Sequence, residues 1–187
     1  DGAYHGDTFG AMALGERNIF NAAFENMLFP VSRLPWPSTW WNDPEVEVKE
    51  NIVLKELDIL LETPTIAVIL EPLLQGAGGM AMVRPSFLKA IEKRVRQAKA
   101  ILIADEVLTG FGRCGHLFAF QKAKIQPDLV ALSKGLTSGF LPMGVTLASE
   151  KLFEGFTGQD PKHTFWHGHS FTANPLGCAA ANASLDL

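Results

Sequence analysis

The chain has 187 residues, a formal net charge of −4, 47% hydrophobic residues and 19% charged residues. This composition supports one domain with a sizeable core and excludes a disordered chain. The basic residues are dispersed, which disfavours a nucleic-acid binder, and Cys114 and Cys178 lie far apart, which disfavours a disulfide scaffold. No apolar run reaches the roughly 20 residues of a membrane span, which disfavours a membrane protein. The sequence therefore predicts a soluble cytoplasmic protein.

The first part of the chain predicts a short helix, a loop and a longer helix. Thr8 or Asp7 could cap a helix that begins near residue 9. Four prolines and three tryptophans between residues 30 and 44 predict an ordered aromatic loop, because proline at that density excludes a regular helix or central strand. From residue 50 onward, apolar residues recur at helical spacing; they are Val53, Leu54, Leu57, Leu60 and Leu61.

Short apolar runs at residues 65–70, 100–104, 128–132 and 144–148 predict four strands. We expect a glycine-containing loop over residues 73–82, a helix that starts at Pro85, and an alanine-rich helix over residues 174–187. Strands that are continuously apolar and alternate with helices are typical of a largely parallel sheet flanked by helices. The predicted fold class is therefore α/β.

Polar residues follow three of these strands: Glu71, the pair Asp105 and Glu106, and Lys134. Ligands of parallel α/β sheets bind beyond the carboxyl ends of the strands. Alone, such a lysine is usually a solvated surface residue and such an aspartate a cap or turn residue. Together they suit pyridoxal phosphate (PLP), which needs a lysine for a Schiff base and a carboxylate on its pyridinium nitrogen. A released lysine amine can also move a proton.

Two motifs around these residues resemble the core of the class III aminotransferases, which have the fold-type-I architecture of PLP-dependent transferases. They are ILIADEVLTGFGRCG at 101–115 and LSKGLTSGFLP at 132–142. Three more are similar to the branch that aminates 8-amino-7-oxononanoate in biotin biosynthesis: YHGDTFGAM at 4–12, EPLLQGAGGM at 71–80 and WHGHSFTANPLGCAAANASL at 166–185. The resemblance covers nearly the whole chain. It implies PLP as cofactor, a homodimer with shared active sites, and S-adenosylmethionine or lysine as the amino donor.

The resemblance also implies roles for individual residues. Lys134 is the Schiff-base lysine, and Asp105 pairs with the pyridine nitrogen. Tyr4 stacks on one face of the cofactor ring and Val107 covers the other, while Ser170 binds the phosphate of the neighbouring subunit's cofactor. Glu71 and Gln75 line the pocket wall, Glu71 on the cofactor side. The substrate-binding residues are Gln75 and Arg113, together with Tyr4 and Lys134.

Two positions depart from the general class III pattern. Leu108 stands where many members carry a glutamine that bonds the ring hydroxyl of the cofactor, and this fits the branch named above. Ser170 stands where threonine is usual, and serine keeps the hydroxyl group that a phosphate needs.

Class III enzymes are longer than this chain. The resemblance therefore implies that residues 1–187 are the central part of the PLP-binding large domain, without the N-terminal segment and the C-terminal small domain. We expect this piece alone to anchor the phosphate incompletely, to catalyse weakly or not at all, and to depend on pairing with another copy for stability.

Three other interpretations stay open. The first is a different class III transaminase, acting on ornithine, 4-aminobutyrate or a diamine. The second is a nucleotide-binding α/β module that uses the glycines at 76–79, although no G-x-G-x-x-G follows a strand. The third is a metal-binding module built on His163, His167 and His169; no Cys, Asp or Glu completes a credible ligand set there, so we expect no metal.

Overall fold

The computed structural model describes all residues from 1 to 187, and its centre is a mainly parallel sheet. In chain order the strands are β1 (Ala67–Leu70), β2 (Leu74–Gln75), β3 (Ala81–Met82), β4 (Ile101–Asp105), β5 (Leu129–Leu132) and β6 (Val145–Ala148). The helices are α1 (Phe9–Leu14), α2 (Val46–Leu60), α3 (Pro85–Gln97), α4 (Ala119–Ala123), α5 (Glu150–Glu154) and α6 (Pro175–Leu185). Short 3-10 helices cover Ala22–Met27, Lys134–Thr137 and Pro161–His163.

The main sheet has the spatial order β1-β4-β5-β6. Strands β1, β4 and β5 run parallel to one another, whereas β6 pairs antiparallel with β5. The prediction of an α/β fold with a largely parallel sheet is confirmed. The parallel pairing brings the carboxyl ends of β1, β4 and β5 to one edge of the sheet, which is where the predicted site residues follow.

The core lies between the sheet and helices α2 and α3. Pro85 occupies the first turn of α3, where its missing N–H costs no hydrogen bond. The apolar stripe expected on this helix is buried: Leu88, Ile91 and Val95 have no exposed surface, and Phe87 is 1% exposed. These side chains pack with the inner face of α2 and with β4, so the helices fix one face of the sheet.

The structure corrects several predicted boundaries. Helix α2 begins at Val46 rather than near residue 50, because its first turn alternates valine with charged residues and lacks the apolar spacing of a helix. The expected loop over residues 73–82 contains a hairpin of β2 and β3. Strands of two residues are too short to show alternation in the sequence. The capping residue of α1 is Thr8, whose hydroxyl accepts from the N–H of Ala11 at 3.5 Å.

The last helix forms as its sequence predicts, within slightly tighter limits. Asn174 caps α6 by accepting from the N–H of Gly177 at 2.7 Å, and Pro175 occupies the first turn. Helix α6 packs on the 3-10 turn that begins at Lys134. None of the helices is long and apolar enough to cross a bilayer.

Candidate active site

Strand register sets the positions of the three predicted site residues at the sheet edge. Leu70 of β1 pairs with Ala104 of β4, so Glu71 and Asp105 follow side by side. Asp105 in turn pairs with Ala131 of β5, three residues before Lys134. Neighbouring strands lie about 4.8 Å apart. The sheet therefore brings two carboxylates and one amine to the same edge.

Asp105 is buried and is held by two donors. Its Oδ1 accepts the backbone N–H of Val107 at 3.0 Å, and its Oδ2 lies 2.7 Å from Nδ1 of His5. The carboxylate accepts this hydrogen bond in the imidazole tautomer that carries its proton on Nδ1. The side chain of His5 is 4% exposed, and its Nε2 is buried without a partner. The result is a fixed, water-poor carboxylate at the end of β4.

Glu71 ties the segment around Tyr4 to the end of β1. Its two carboxylate oxygens accept the N–H of Tyr4 at 3.1 Å and the N–H of Gly76 at 2.9 Å. The phenol ring of Tyr4 is half exposed, and the neighbouring Asp7 carboxylate raises the pKa of the Tyr4 hydroxyl. Tyr4 is thus an accessible aromatic ring whose backbone is anchored beside Asp105.

Two glycines allow the chain before Tyr4 to cross the hairpin tip closely. A Cβ at Gly78 would lie 2.6 Å from the carbonyl oxygen of Gly2. Gln75, which is 3% exposed, secures the same crossing by donating to the Asp1 carbonyl at 2.9 Å. The crossing fixes the path of the chain that leads into Tyr4 and His5.

Lys134 begins a tight turn directly after β5. Its φ of 41° lies in the left-handed region, which is unfavourable for a residue with a Cβ. Two hydroxyl groups hold the surrounding turn: Ser133 donates to the Met143 carbonyl at 2.6 Å, and Thr137 donates to that of Leu141 at 2.5 Å. The Lys134 side chain is exposed. Such backbone strain is typical of functional sites.

Glu106, next to Asp105, is completely buried and binds the start of α4. It accepts from the Thr109 hydroxyl at 2.6 Å and from the N–H groups of Ala119 and Phe120 at 3.0 and 2.7 Å. Burial raises the pKa of the Glu106 carboxyl, against the opposing effect of these three hydrogen bonds. Glu106 therefore connects the two ends of the loop that runs from Asp105 to α4.

The other predicted site residues lie in more open surroundings. Val107 is half-buried beside Asp105, whereas Arg113 and Ser170 are exposed, on the loop after β4 and on the segment before α6. A cleft of about 880 Å³ opens beside Tyr4 and His5 and extends over the aromatic side chains of residues 9–24. Hydrogen bonds thus tie Glu71 to the backbone of Tyr4, and tie Asp105 to Val107 and to His5, the residue after Tyr4. None of them connects the side chains of Lys134, Arg113 or Ser170 to these groups.

The structural surroundings of the glycine loop and of the three histidines argue against the alternatives built on them. The glycines at 76–79 connect two antiparallel strands, whereas a phosphate loop of the expected type leads from a strand into a helix N-terminus. His169 lies on an exposed segment and accepts the N–H of Phe171 through Nδ1 at 3.1 Å. No three His, Cys, Asp or Glu side chains converge in a way that could hold a metal ion.

Two residues of this site were given no role by the sequence analysis. His5 contacts Asp105 across 100 residues of chain, and no local pattern reports such a distance. Its one sequence signal is that it directly follows Tyr4 in a motif already singled out. Glu106 follows Asp105 in the same way, and a charged residue at the end of a buried strand is the signal that could have identified it.

A comparison with protein families matches the whole chain, residues 1–187, to the model described as aminotransferase class-III. A curated relative from Synechococcus elongatus, named adenosylmethionine-8-amino-7-oxononanoate aminotransferase, is 60% identical over 188 residues. That alignment covers 100% of this chain and 44% of the relative. The chain thus spans less than half the length of the curated relative that it matches.

Solved structures show the same likeness. The adenosylmethionine-8-amino-7-oxononanoate aminotransferase of Methanocaldococcus jannaschii superposes with a TM-score of 0.84 at 33% identity, covering 100% of this chain and 42% of that one. An amine transaminase from an uncultivated Pseudomonas species, solved in its PLP-bound form, superposes with a TM-score of 0.83 at 27% identity. This superposition covers 99% of this chain and 43% of the Pseudomonas chain.

Proposed function

The chain belongs to the class III aminotransferases, and from that premise we propose that it carries out PLP-dependent transamination of 8-amino-7-oxononanoate. The product would be 7,8-diaminononanoate, a step of biotin biosynthesis, with S-adenosylmethionine as the amino donor. The names of the relatives from S. elongatus and M. jannaschii support this substrate pair. The observation that carries the proposal is the buried Asp105 carboxylate beside the strand end that leads to Lys134.

The residues at this edge fit the cofactor. PLP needs a fixed carboxylate for its ring nitrogen and an accessible amine for its aldehyde. Asp105 is 5% exposed and retains acceptor capacity beyond its bonds to His5 and Val107, while Lys134 is exposed at the end of the neighbouring strand. The aromatic ring of Tyr4 is accessible beside them and suits stacking on a planar ring.

When bound, PLP supplies an electron-accepting ring for the electron pair left on the substrate carbon. Asp105 would hold a proton on the ring nitrogen, and its low exposure strengthens that interaction. Lys134 would bind the aldehyde carbon and, when free, move a proton at the amine-bearing carbon of the substrate. Tyr4 and Val107 would restrict the ring from opposite faces, and Glu71 would hold the backbone of Tyr4 in place.

A second copy of the chain completes the proposed site. Ser170 is exposed and makes no bond to the network around Asp105. A hydroxyl group can donate to a phosphate, and the resemblance to the class III aminotransferases implies that this one binds the phosphate of the neighbouring subunit's cofactor. We therefore assign Ser170 to the partner's site and propose a homodimer; Gln75 and Arg113 are assigned to the pocket wall and to the substrate side.

A different class III transaminase is the second candidate function. The Pseudomonas amine transaminase superposes nearly as well as the M. jannaschii enzyme, with TM-scores of 0.83 and 0.84. The 60% identity to the S. elongatus relative favours the first candidate. Panels of donors and acceptors separate the two: turnover of 8-amino-7-oxononanoate supports the first, and turnover of ornithine or 4-aminobutyrate alone would replace it with the second.

Borohydride trapping tests the cofactor assignment directly. We expect reduction after addition of PLP to fix one cofactor on the peptide that contains Lys134, as read by mass spectrometry. In the full-length protein, Lys134→Ala should abolish this label and all turnover, while Lys151→Ala, which changes another exposed lysine, should retain both. Asp105→Asn should keep the label and lose most of the rate. A label that persists in Lys134→Ala would refute the assignment.

A further inference from the structure

We propose that Phe111 is a positioning residue for Lys134. Its side chain lies on Gly135 and holds the backbone of the lysine turn in its left-handed conformation. The inference rests on the proposed function, in which Lys134 binds the cofactor. It adds a residue that neither contacts Asp105 nor carries reactive chemistry, and whose contribution is the placement of the amine.

The contact between Phe111 and Gly135 is too close for any other residue at position 135. A Cβ built on Gly135 would lie 2.8 Å from Cβ of Phe111 and 3.0 Å from its Cδ2. Glycine is the residue that permits such an approach to the backbone. The hydroxyl of Ser184 in α6 also donates to the Gly135 carbonyl at 3.3 Å. Gly135 is thus held between an aromatic side chain and a helix.

Strain on both sides of this contact indicates that the surroundings determine it. Lys134 has a φ of 41° and Phe111 a φ of 59°, and both carry a Cβ. Such backbone angles cost energy in a residue with a Cβ, and the surrounding packing can compensate that cost. Lys134 is bonded to Gly135, and the Phe111 side chain packs against Gly135. Removing the Phe111 side chain should therefore allow the backbone of Lys134 to change its conformation.

The loop that carries Phe111 has a rigid base. The Glu106 carboxylate binds Thr109 near the start of the loop and the N–H groups of Ala119 and Phe120 at its end. The ring of Phe111 packs edge-on against Phe118 with centroids 5.6 Å apart, and Phe118 stacks on Phe120 at 5.5 Å. Phe111 is therefore held in one position from which it presses on the lysine turn.

This arrangement links the two groups that the proposed chemistry needs. The loop starts directly after Asp105, and its tip lies on the residue after Lys134. The relative placement of carboxylate and amine then depends on the loop as well as on the pairing of β4 with β5. Removing the Phe111 side chain should loosen the lysine turn while leaving the strands paired.

Hydrogen exchange of the cofactor-free protein tests this without any activity measurement. We expect Phe111→Gly to speed amide exchange over residues 134–138 about tenfold or more, with little change in β4. Phe111→Ala keeps the Cβ at the 2.8 Å contact and should give a smaller increase, which keeps the test decisive if the glycine variant does not fold. Phe120→Leu is the matched control, because it alters the same aromatic cluster without touching Gly135.

A double-variant cycle tests the contact itself. Gly135→Ala should increase exchange over residues 134–138 in the wild-type background and add nothing in the Phe111→Gly background, where the opposing Cβ is absent. In PLP-loaded protein, Phe111→Gly should also shift the pH midpoint of the cofactor's visible absorbance by about half a unit or more, whereas Phe120→Leu should not.

The outcomes separate this inference from the proposed function. If Lys134 is not labelled in wild-type protein, the proposed function fails. If Lys134 is labelled but Phe111→Gly and Phe111→Ala leave the exchange of residues 134–138 and the pH midpoint unchanged, the positioning role is overturned. Equal effects of Phe111→Ala and Phe120→Leu would also overturn it, since they would reflect general loosening of the cluster.

Discussion

Asp105 receives hydrogen bonds from two very different parts of the chain. Val107 is two residues away, whereas His5 is 100 residues away. The nearby bond follows from the turn after β4, but the distant one depends on the crossing of the N-terminal segment over the hairpin tip. Burying a carboxylate to this extent costs folding free energy unless such partners donate hydrogen bonds to it.

We predict that His5→Ala lowers kcat about tenfold to hundredfold. A hydrogen bond to a charged group is worth about 1.5–3 kcal/mol, which corresponds to one to two orders of magnitude in rate when it is lost in the transition state. Steady-state kinetics of the full-length protein with 8-amino-7-oxononanoate measure the effect. His5→Asn, which retains a donor, should recover part of the rate. An unchanged kcat in His5→Ala, matching the exposed control His116→Ala, would contradict the role.

Glu106 makes the stability of the protein depend on pH. Its pKa is raised above the ordinary value of 4.5, mainly by burial. The folded state therefore binds a proton more tightly than the unfolded state does. The contribution of this shifted pKa to the free energy of unfolding is fully present below pH 4.5 and declines as the pH rises through the pKa of the folded state.

We predict that Glu106→Gln lowers the free energy of unfolding by about 1–2 kcal/mol, because the amide turns one N–H₂ toward a backbone donor. The stability gap between wild type and variant should shrink as the pH rises from about 4.5. Urea unfolding across a pH series measures it. The exposed control Glu62→Gln should leave both the stability and its pH profile nearly unchanged. A gap that widens with pH would contradict the raised pKa.

Ion pairs join helices α2 and α3 in addition to their apolar contact. Arg94 of α3 donates to Asp58 of α2 at 2.8 Å near one end, and a more buried pair lies at the start of α3. Arg84, the residue that precedes α3, donates to Glu50 of α2 at 2.6 and 3.1 Å. Glu50 is 5% exposed, whereas Glu47, 3.7 Å from the same arginine, lies at the surface. The pair with Glu50 raises the pKa of Arg84 and keeps the guanidinium charged.

We predict that Arg84→Met lowers the free energy of unfolding by about 2–4 kcal/mol, since it leaves the Glu50 carboxylate buried without a partner. Chemical denaturation measures the change. Glu47→Gln, the surface counterpart, should cost less than about 0.5 kcal/mol. Adding Glu50→Leu to Arg84→Met should restore much of the loss. If Arg84→Met and Glu47→Gln prove equally mild, the pair does not join the helices.

Sequence reasoning located the elements of this fold where burial leaves a regular pattern. The stripe of Leu88, Ile91 and Val95 and the apolar run of β4 needed no further information. The β2–β3 hairpin and helices α4 and α5 were missed, because elements of two to five residues show no period. Likewise, Asp105 and Lys134 were identifiable at strand ends, whereas the contacts of His5, Glu106 and Phe111 depend on tertiary packing that no local pattern encodes.

At the scale of the whole molecule, the surface beside the proposed site is strongly apolar. Ile19 and Phe20 are 86% and 84% exposed, and Phe20 borders the cleft next to Tyr4. Apolar surface of this kind marks interaction sites. We expect a partner copy that supplies Ser170 to a cofactor near Tyr4 to cover the rim of that cleft as well.

We predict that the protein forms a dimer and that Phe20→Ser weakens its association at least about tenfold, because burying a phenylalanine contributes about 1.5–3 kcal/mol. Sedimentation velocity over a concentration series measures the dissociation constant. Ile66→Ser, equally exposed but not among the residues that line the cleft, should leave it unchanged. A monomer at all concentrations would refute the shared site, and equal weakening by both variants would refute the location of the interface.

The register of β1, β4 and β5 also limits how this protein can change in length. Successive side chains of a strand point to opposite faces, so inserting or deleting one residue within β4 would turn Asp105 away from His5. Such a change would remove the carboxylate from the site even if every core contact were rebuilt. We expect length variation among functional homologues to be confined to the loops and hairpin tips, while the three parallel strands keep their length between core and site.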